Sequence, residues 1–422
     1  MDLQYFNPWW KDGRVPSLLL GKARKIFHEI LASLDMRQMV VLTGLRRVGK
    51  TTLLYQTIDA LLKRGVSPYH IFYFSFDEYR KDFYDLIKQY ETQTLREDFA
   101  KTQVYIFLDE IQKHADWASK VKLLYDLNPS CKIFLSGSAQ IMLWKNARES
   151  LAGRFFEFPV SPLDFEEYLL FRDVWVDSDR EEIFEGEIKR HLQDYIESGG
   201  FIEALKLEGI LRKRYFKESL MERVIFVDVP QTFRLDRPEV LLTIVNTAAA
   251  KPGLFLDIKN LSNDLKIDQR TLANYVNYLE YALFLQKLYN YSPNLLTTEK
   301  KMKRLYVSNA AFTLALNPGL DFSLLLEQFF VNMLGARFFV RTPQKEEIDI
   351  VLADEKRILP VEVKIQDQVN AREGRYLFRF LEKHNLKKAL IISRDAETTF
   401  ERNGMAIRVI PYWKYWSILK EL

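Results

Sequence analysis

Short apolar runs alternate with amphipathic stretches through the first 160 residues. MVVLT is followed by a glycine-rich turn and then by TTLLYQTIDALLKRG, whose apolar positions recur at helical spacing until Gly65. HIFYFSF, VYIFLD and CKIFLSGSAQ are further apolar runs bounded by polar or turn residues. Runs of this length without a polar face suit strands buried on both sides, as in a parallel sheet covered by helices. The pattern predicts an α/β core over residues 1–160.

The pattern then changes twice. SPLDFEEYLLF, EEIFEGEIKRHLQDYIES and ILRKRYFKESLMERV all have helical periodicity, so 161–235 is expected to be all-helical. Residues 236–291 read as helix, helix, turn, helix and strand, with Asp268 as N-cap of the last helix. This outlines a winged helix over 236–296. Its recognition helix presents Arg270, Asn274 and Asn277. Strand-like and helical stretches alternate again over 297–422, predicting a second α/β domain.

Composition narrows the class. A chain of 422 residues is too long for one core, and 48% apolar with 14% aromatic residues suffices for several. The single cysteine, Cys131, excludes an internal disulfide, and the five histidines lack zinc-ligand spacing. No apolar run approaches membrane-spanning length, so the expectation is a soluble, cytoplasmic protein without a membrane partner. Residues 297–422 hold 21 Lys/Arg against 16 Asp/Glu, whereas the preceding residues hold 40 against 41. A polyanion surface, and hence DNA as partner, is expected in the last third. The winged-helix stretch is neutral, so it is read either as a DNA reader or as a protein-packing module. The EKKMKR run beyond it either supplements such a surface or forms a solvated turn.

The turn after MVVLT matches G-x-x-x-x-G-K-[ST] from Gly44 to Thr51. Gly44, Leu45, Arg46, Arg47, Val48 and Gly49 provide backbone N–H groups for phosphate oxygens. Lys50 carries its ammonium to the β- and γ-phosphates, and Thr51, with Thr52 beside it, offers a hydroxyl to Mg²⁺. Asp109 and Glu110 close the VYIFLDEIQ run, where a parallel strand meets its ligand crevice. Asp109 orients the hydrated Mg²⁺ and Glu110 polarises the attacking water. The expected cofactors are ATP and Mg²⁺. Ser136 and Ser138 end the next strand, either sensing the γ-phosphate or closing a Ser-Gly turn.

GLRRVGKTT, the strand ending in Asp-Glu, SGSAQ and LAGR…PVSPLDFEEYL occur in an order that resembles an archaeal and bacterial AAA+ ATPase family of the MCM-like branch. Members carry a winged helix and often a restriction-endonuclease-like tail. The resemblance implies an AAA+ P-loop core, a helical lid, and Arg154 as an arginine finger acting on a neighbouring subunit. A homo-oligomer follows, with a hexamer among the options. The family's GGFPEAL-type segment stands here as GGFIEAL (199–205), with Ile202 at the usual proline, at a lid boundary away from the chemistry. Arg190 and Arg212 are available as a second sensor, without assignment between them.

In RILPVEVKI, side chains alternate, so Glu362 and Lys364 share one face. In EEIDIVLA, Asp349 stands opposite its isoleucine neighbours, and a short turn lets the strands pair. Asp349 and Glu362 could then converge on one Mg²⁺, with Lys364 orienting a nucleophile. The arrangement resembles the PD-(D/E)xK nuclease fold, which implies a further carboxylate, Glu327, from the helix DFSLLLEQFFVNMLGAR. Whether such a domain cuts DNA, or only binds it or mediates assembly, stays open. A nucleotide-switched scaffold is the alternative to a DNA-directed ATPase.

Overall fold

The computed structural model describes residues 2–77, 82–114, 116–137, 150–233, 235–294, 297–298, 301–354 and 357–422. They fall into two compact units, one comprising Met1–Glu167, Phe201–Glu203 and Tyr281–Leu283, the other the remainder.

The first unit is built on five strands: β1 (Met39–Thr43), β2 (Ile71–Ser75), β3 (Val104–Asp109), β4 (Cys131–Gly137) and β5 (Phe155–Pro159). Their spatial order is β2-β3-β4-β1-β5, with every pairing parallel. All residues of β1, β2 and β4 are buried, which is why these strands read as unbroken apolar runs. Phe107 and Phe134 stack across β3 and β4 at 4.4 Å. The helix Lys50–Lys63 leaves the end of β1 through the glycine-rich turn.

The exposed edge of β2 would be open to foreign strands. The N-terminal segment closes it. Asn7 donates to the Tyr73 carbonyl at 3.0 Å and accepts the Tyr73 N–H at 2.7 Å, imitating a strand partner. The indoles of Trp9 and Trp10 both donate to the Ile71 carbonyl.

The second unit contains helices, including Glu185–Ser198 and Glu239–Ala250, and one mixed sheet. Its strands are β6 (Leu254–Phe255), β7 (Leu285–Asn290), β8 (Lys303–Val307), β9 (Phe338–Arg341), β10 (Glu347–Ala353), β11 (Ile358–Lys364), β12 (Lys388–Ser393), β13 (Thr398–Arg402) and β14 (Met405–Pro411). The order is β13-β14-β12-β11-β10-β9-β7-β8-β6. Helix Arg375–Lys383 links the parallel pair β11 and β12, as a parallel connection requires. Its Leu377 and Leu381 pack with Ile348, Val351, Ile391 and Ile407.

Helices Ile258–Leu265 and Gln269–Tyr281 precede β7, and Asp268 caps the second by accepting the Thr271 N–H at 2.8 Å. β7 pairs antiparallel with β8 and parallel with β9, so segments 236–296 and 297–422 share one sheet. The fold class is therefore α/β, with a parallel core and a second α/β unit on a mixed sheet. Among the described residues, no helix is long and apolar enough to cross a membrane.

Candidate active site

The chain turns sharply after β1. Gly44 has φ +146°, and a Cβ there would stand 2.1 Å from the Val160 carbonyl oxygen. Val160 donates its N–H to Thr43 at 2.7 Å, fixing that close approach. Gly49, at φ +96°, provides the other unusual torsion and leads into the helix at Lys50. A helix start that follows a glycine-rich turn presents N–H groups of the kind that bind phosphate. Leu45 and Val48 are buried anchors of this loop, Arg46 is half-buried, and Arg47 is exposed with φ +64°.

Lys50 is itself buried, and its ammonium donates to the carbonyls of Gly44 at 3.1 Å and Leu45 at 2.7 Å. Thr51 and Thr52 begin the helix. Thr51 Oγ1 donates to Asp109 Oδ2 at 2.7 Å, joining the turn after β1 to the end of β3. Tyr73 donates to the same oxygen at 2.9 Å, Ser136 donates to Asp109 Oδ1, and the Glu110 N–H reaches that oxygen at 3.1 Å. Burial first, and Asp109 second, push the Tyr73 hydroxyl pKa well up, so it remains a donor. Glu110 sits just past the strand at φ +52°, a costly conformation for a residue with a side chain, and Gln112 donates to its carboxylate at 2.7 Å. Hydroxyl and carboxylate oxygens are the donors a hard divalent ion takes, so Thr51 and Asp109 fit Mg²⁺. Ser138 lies outside the described residues.

Supporting residues escaped the sequence reading. Arg24 donates to the Val48 carbonyl at 3.1 Å and to the Ser161 carbonyl at 2.7 Å, and pairs with Glu167 at 2.6 Å, both partners buried. Burial alone would raise the Glu167 pKa, but Arg24 overcomes it and holds the carboxyl below its ordinary value. The one signal available was Glu167 itself, a charged residue within an apolar helical stretch. The segment Phe201–Glu203, expected at a lid boundary away from the chemistry, instead meets the phosphate loop. Glu203 pairs with Arg47, and Ile202 Cδ1 would lie 3.4 Å from a Cβ on Gly49. Arg154 precedes β5, and its guanidinium grips Asp126 through two bonds, at 2.9 and 3.1 Å. Arg212 is buried and paired with Asp194 and Glu197, whereas Arg190 is exposed.

The second unit gathers the other candidates. The β10–β11 register pairs Ile350 with Val361, and one step further sets Asp349 opposite Glu362. Each reaches across to the other strand: Asp349 Oδ2 accepts the Val363 N–H at 3.0 Å, and Glu362 Oε2 accepts the Asp349 N–H at 3.3 Å. Lys364 pairs with Glu362 at 2.8 Å. Glu327, from helix Phe322–Met333, accepts the Tyr306 hydroxyl at 2.7 Å. Burial raises the carboxyl pKa of both Glu327 and Glu362, Asp349 adds to the rise, and the nearby cations oppose it.

Arg304, the second residue of β8 and the last of the basic run, stands among these carboxylates. It is 2.5 Å from Glu347, 3.3 Å from Glu327 and 3.6 Å from Asp349. Among the described residues, no group of three or more His, Cys, Asp and Glu side chains is arranged to hold a metal ion. Sequence offered no mark distinguishing Arg304 from its basic neighbours beyond its place at the start of an apolar strand.

Residues 36–169 match the family described as AAA domain. Residues 189–322 and 324–415 match two domains of unknown function, DUF8612 and DUF4143. The chain is 24% identical over 418 residues to the uncharacterized protein MJ1544 of Methanocaldococcus jannaschii, spanning 94% of this chain and 92% of that protein. It is 24% identical over 400 residues to an uncharacterized protein of Haemophilus influenzae, spanning 92% and 96%. Among solved structures it is similar to the Walker-type ATPase PABY2304 of Pyrococcus abyssi, at 15% identity and a TM-score of 0.44, over 72% of this chain and 98% of that one. The stretch that matches the AAA domain family includes Gly44–Thr51 and the strand ending in Asp109.

Proposed function

We propose that this protein is an ATP phosphohydrolase that works on DNA as a homo-oligomer. The observation that carries the hydrolase reading is the 2.7 Å bond between Thr51 and Asp109, which brings the two Mg²⁺-directed oxygens of a P-loop enzyme together. Bound Mg²⁺·ATP supplies the electrophilic phosphorus and the neutralising metal. Lys50 exchanges the Gly44 and Leu45 carbonyls for phosphate oxygens, offsetting the charge that grows in the transition state. Glu110, held by Gln112, accepts hydrogen from the attacking water and aligns it. Arg154 of a neighbouring copy, once released from Asp126, supplies the remaining positive charge. Phosphate release by wild type and Lys50→Ala tests this reading; turnover at the wild-type rate in the variant would overturn it.

The DNA part is supported by a cleft of about 1280 Å³ in the second unit, lined by Lys301, Lys303 and Lys345 against Asp257, and by Lys287 and Arg341, which are paired with Glu280 and Glu347. Helix Gln269–Tyr281 contributes Ala273, Val276 and Asn277 to it, consistent with a winged-helix role. Phosphate contacts by several cations predict binding that falls steeply with salt. Fluorescence anisotropy with labelled duplex and single-stranded DNA across a salt series is the measurement, and salt-independent or absent binding would remove DNA as partner. A nucleotide-switched assembly is favoured by a separate observation, the bidentate Arg154–Asp126 pair. That pair must open before the finger can act in another copy. Light scattering with and without ATP separates the two readings.

A further inference from the structure

We propose that the guanidinium of Arg304, rather than a divalent metal ion, is the resident counter-ion of the Glu327–Glu347–Asp349 cluster. This makes the C-terminal carboxylate site an internally closed charge network that takes no Mg²⁺ or Mn²⁺. The inference stands apart from the nucleotide reading, because it concerns the second unit alone.

Three observations carry it. The first is position. One guanidinium contacts three carboxylates from two elements, with Nη2 on Glu347 at 2.5 Å and Nη1 shared between Glu327 at 3.3 Å and Asp349 at 3.6 Å, while Arg341 takes the other Glu347 oxygen at 2.7 Å. The second is confinement. Arg304 is buried, and the rings of Phe255 and Phe339 lie 5.4 and 5.2 Å from its central carbon. Aromatic contacts of this kind suit a flat, weakly hydrated guanidinium and keep it from swinging into solvent. The third is the state of the remaining oxygens. Asp349 Oδ2 and Glu362 Oε2 accept backbone amides across the β10–β11 pair, and Glu362 Oε1 is taken by Lys364.

A divalent ion binds one or more carboxylate oxygens at about 2.0–2.6 Å, with water completing its shell. Here the carboxylates that would provide them are turned toward an arginine, a lysine and main-chain N–H groups. Residue types and chain order suit a metal-dependent nuclease, but the geometry assigns the cation's place to a side chain. The consequence is that this unit handles DNA by contact and not by metal-assisted cleavage.

The test uses the full-length protein without nucleotide. Mn²⁺ binding, counted by electron paramagnetic resonance, is expected to give the same stoichiometry for wild type and Asp349→Asn. Loss of one bound ion in Asp349→Asn would overturn the proposal. Arg304→Gln is expected to melt on the order of 10 °C lower in metal-free buffer, because it leaves buried carboxylates without a partner. An unchanged melting temperature would overturn it too. If Arg304→Gln does not fold, Arg304→Lys is measured instead, and partial retention of the wild-type melting temperature is the expected result. Mg²⁺-dependent cutting of branched DNA by wild type that disappears in Asp349→Asn is a further overturning result.

Discussion

Asp109 ends β3 in the first unit, and Asp349 lies in β10 of the second. Both are buried, at 3% and 8% exposure. Their neighbours differ in kind. Asp109 accepts from the hydroxyls of Thr51, Tyr73 and Ser136 and from one amide, and forms no ion pair among the described residues. Neutral donors orient a carboxylate without cancelling its charge, which suits the metal role proposed for Asp109. Asp349 faces Arg304 directly and shares its cluster with Lys364. There the carboxylate faces a cation of the same chain. In the reading proposed above, two acidic strand positions with the same apparent promise separate into a metal-directed site and a closed one.

The largest test of this contrast neutralises each aspartate in turn. Asp109→Asn is expected to lower ATP turnover about 10²–10³-fold, read by phosphate release, through loss of transition-state charge stabilisation. Turnover within a few-fold of wild type would move the metal role elsewhere. Asp349→Asn is expected to show its effect in stability instead, about 1–3 kcal/mol in a denaturant melt, because a buried partner of Arg304 is lost. Next in size is a pH effect. Burial, with Asp349's charge behind it, raises the Glu327 and Glu362 carboxyls from 4.5 to about 7. A raised carboxyl pKa favours folding while the group stays protonated, so this contribution is full below about pH 4.5 and fades as pH rises through 7. Melting of the second unit should fall between pH 5 and 8, and Glu327→Gln should flatten that slope. The smallest effect belongs to the exposed Arg47–Glu203 pair. Glu203→Ala is expected to change stability by less than about 1 kcal/mol and nucleotide affinity only a few-fold, measured with a fluorescent ATP analogue.

Much of the first site was legible in sequence because it is local. Gly44 to Thr51 are consecutive, and their torsions and donors follow from the residue types themselves. Asp109 announced itself by ending an apolar run, since a polar residue there must face the crevice at a parallel strand's end. What surrounds Asp109 was not legible: Tyr73 and Ser136 come from separate strands and meet it only through the order β2-β3-β4. Arg24 and Glu167 are 143 residues apart and hold the phosphate loop by a buried pair that no local pattern announces. Phe201–Glu203 likewise read as a helix boundary and reached the loop only by folding.

The second site shows where such reading runs out. Alternation in RILPVEVKI and EEIDIVLA was enough to place Asp349 and Glu362 on paired strands, because side-chain direction in a strand has a fixed period. Arg304 belongs to a basic run whose ordinary fate is solvent, and nothing in its neighbours marks it for burial. It enters the cluster because β8 lies in the sheet near β9 and β10, with Phe255 and Phe339 beside its guanidinium. Sequence by itself determined the phosphate loop, the strand-end carboxylates and the α/β class, all of which rest on spacing within a few residues. Only tertiary structure decided which carboxylates face hydroxyls and which face cations, because those partners are brought from distant parts of the chain.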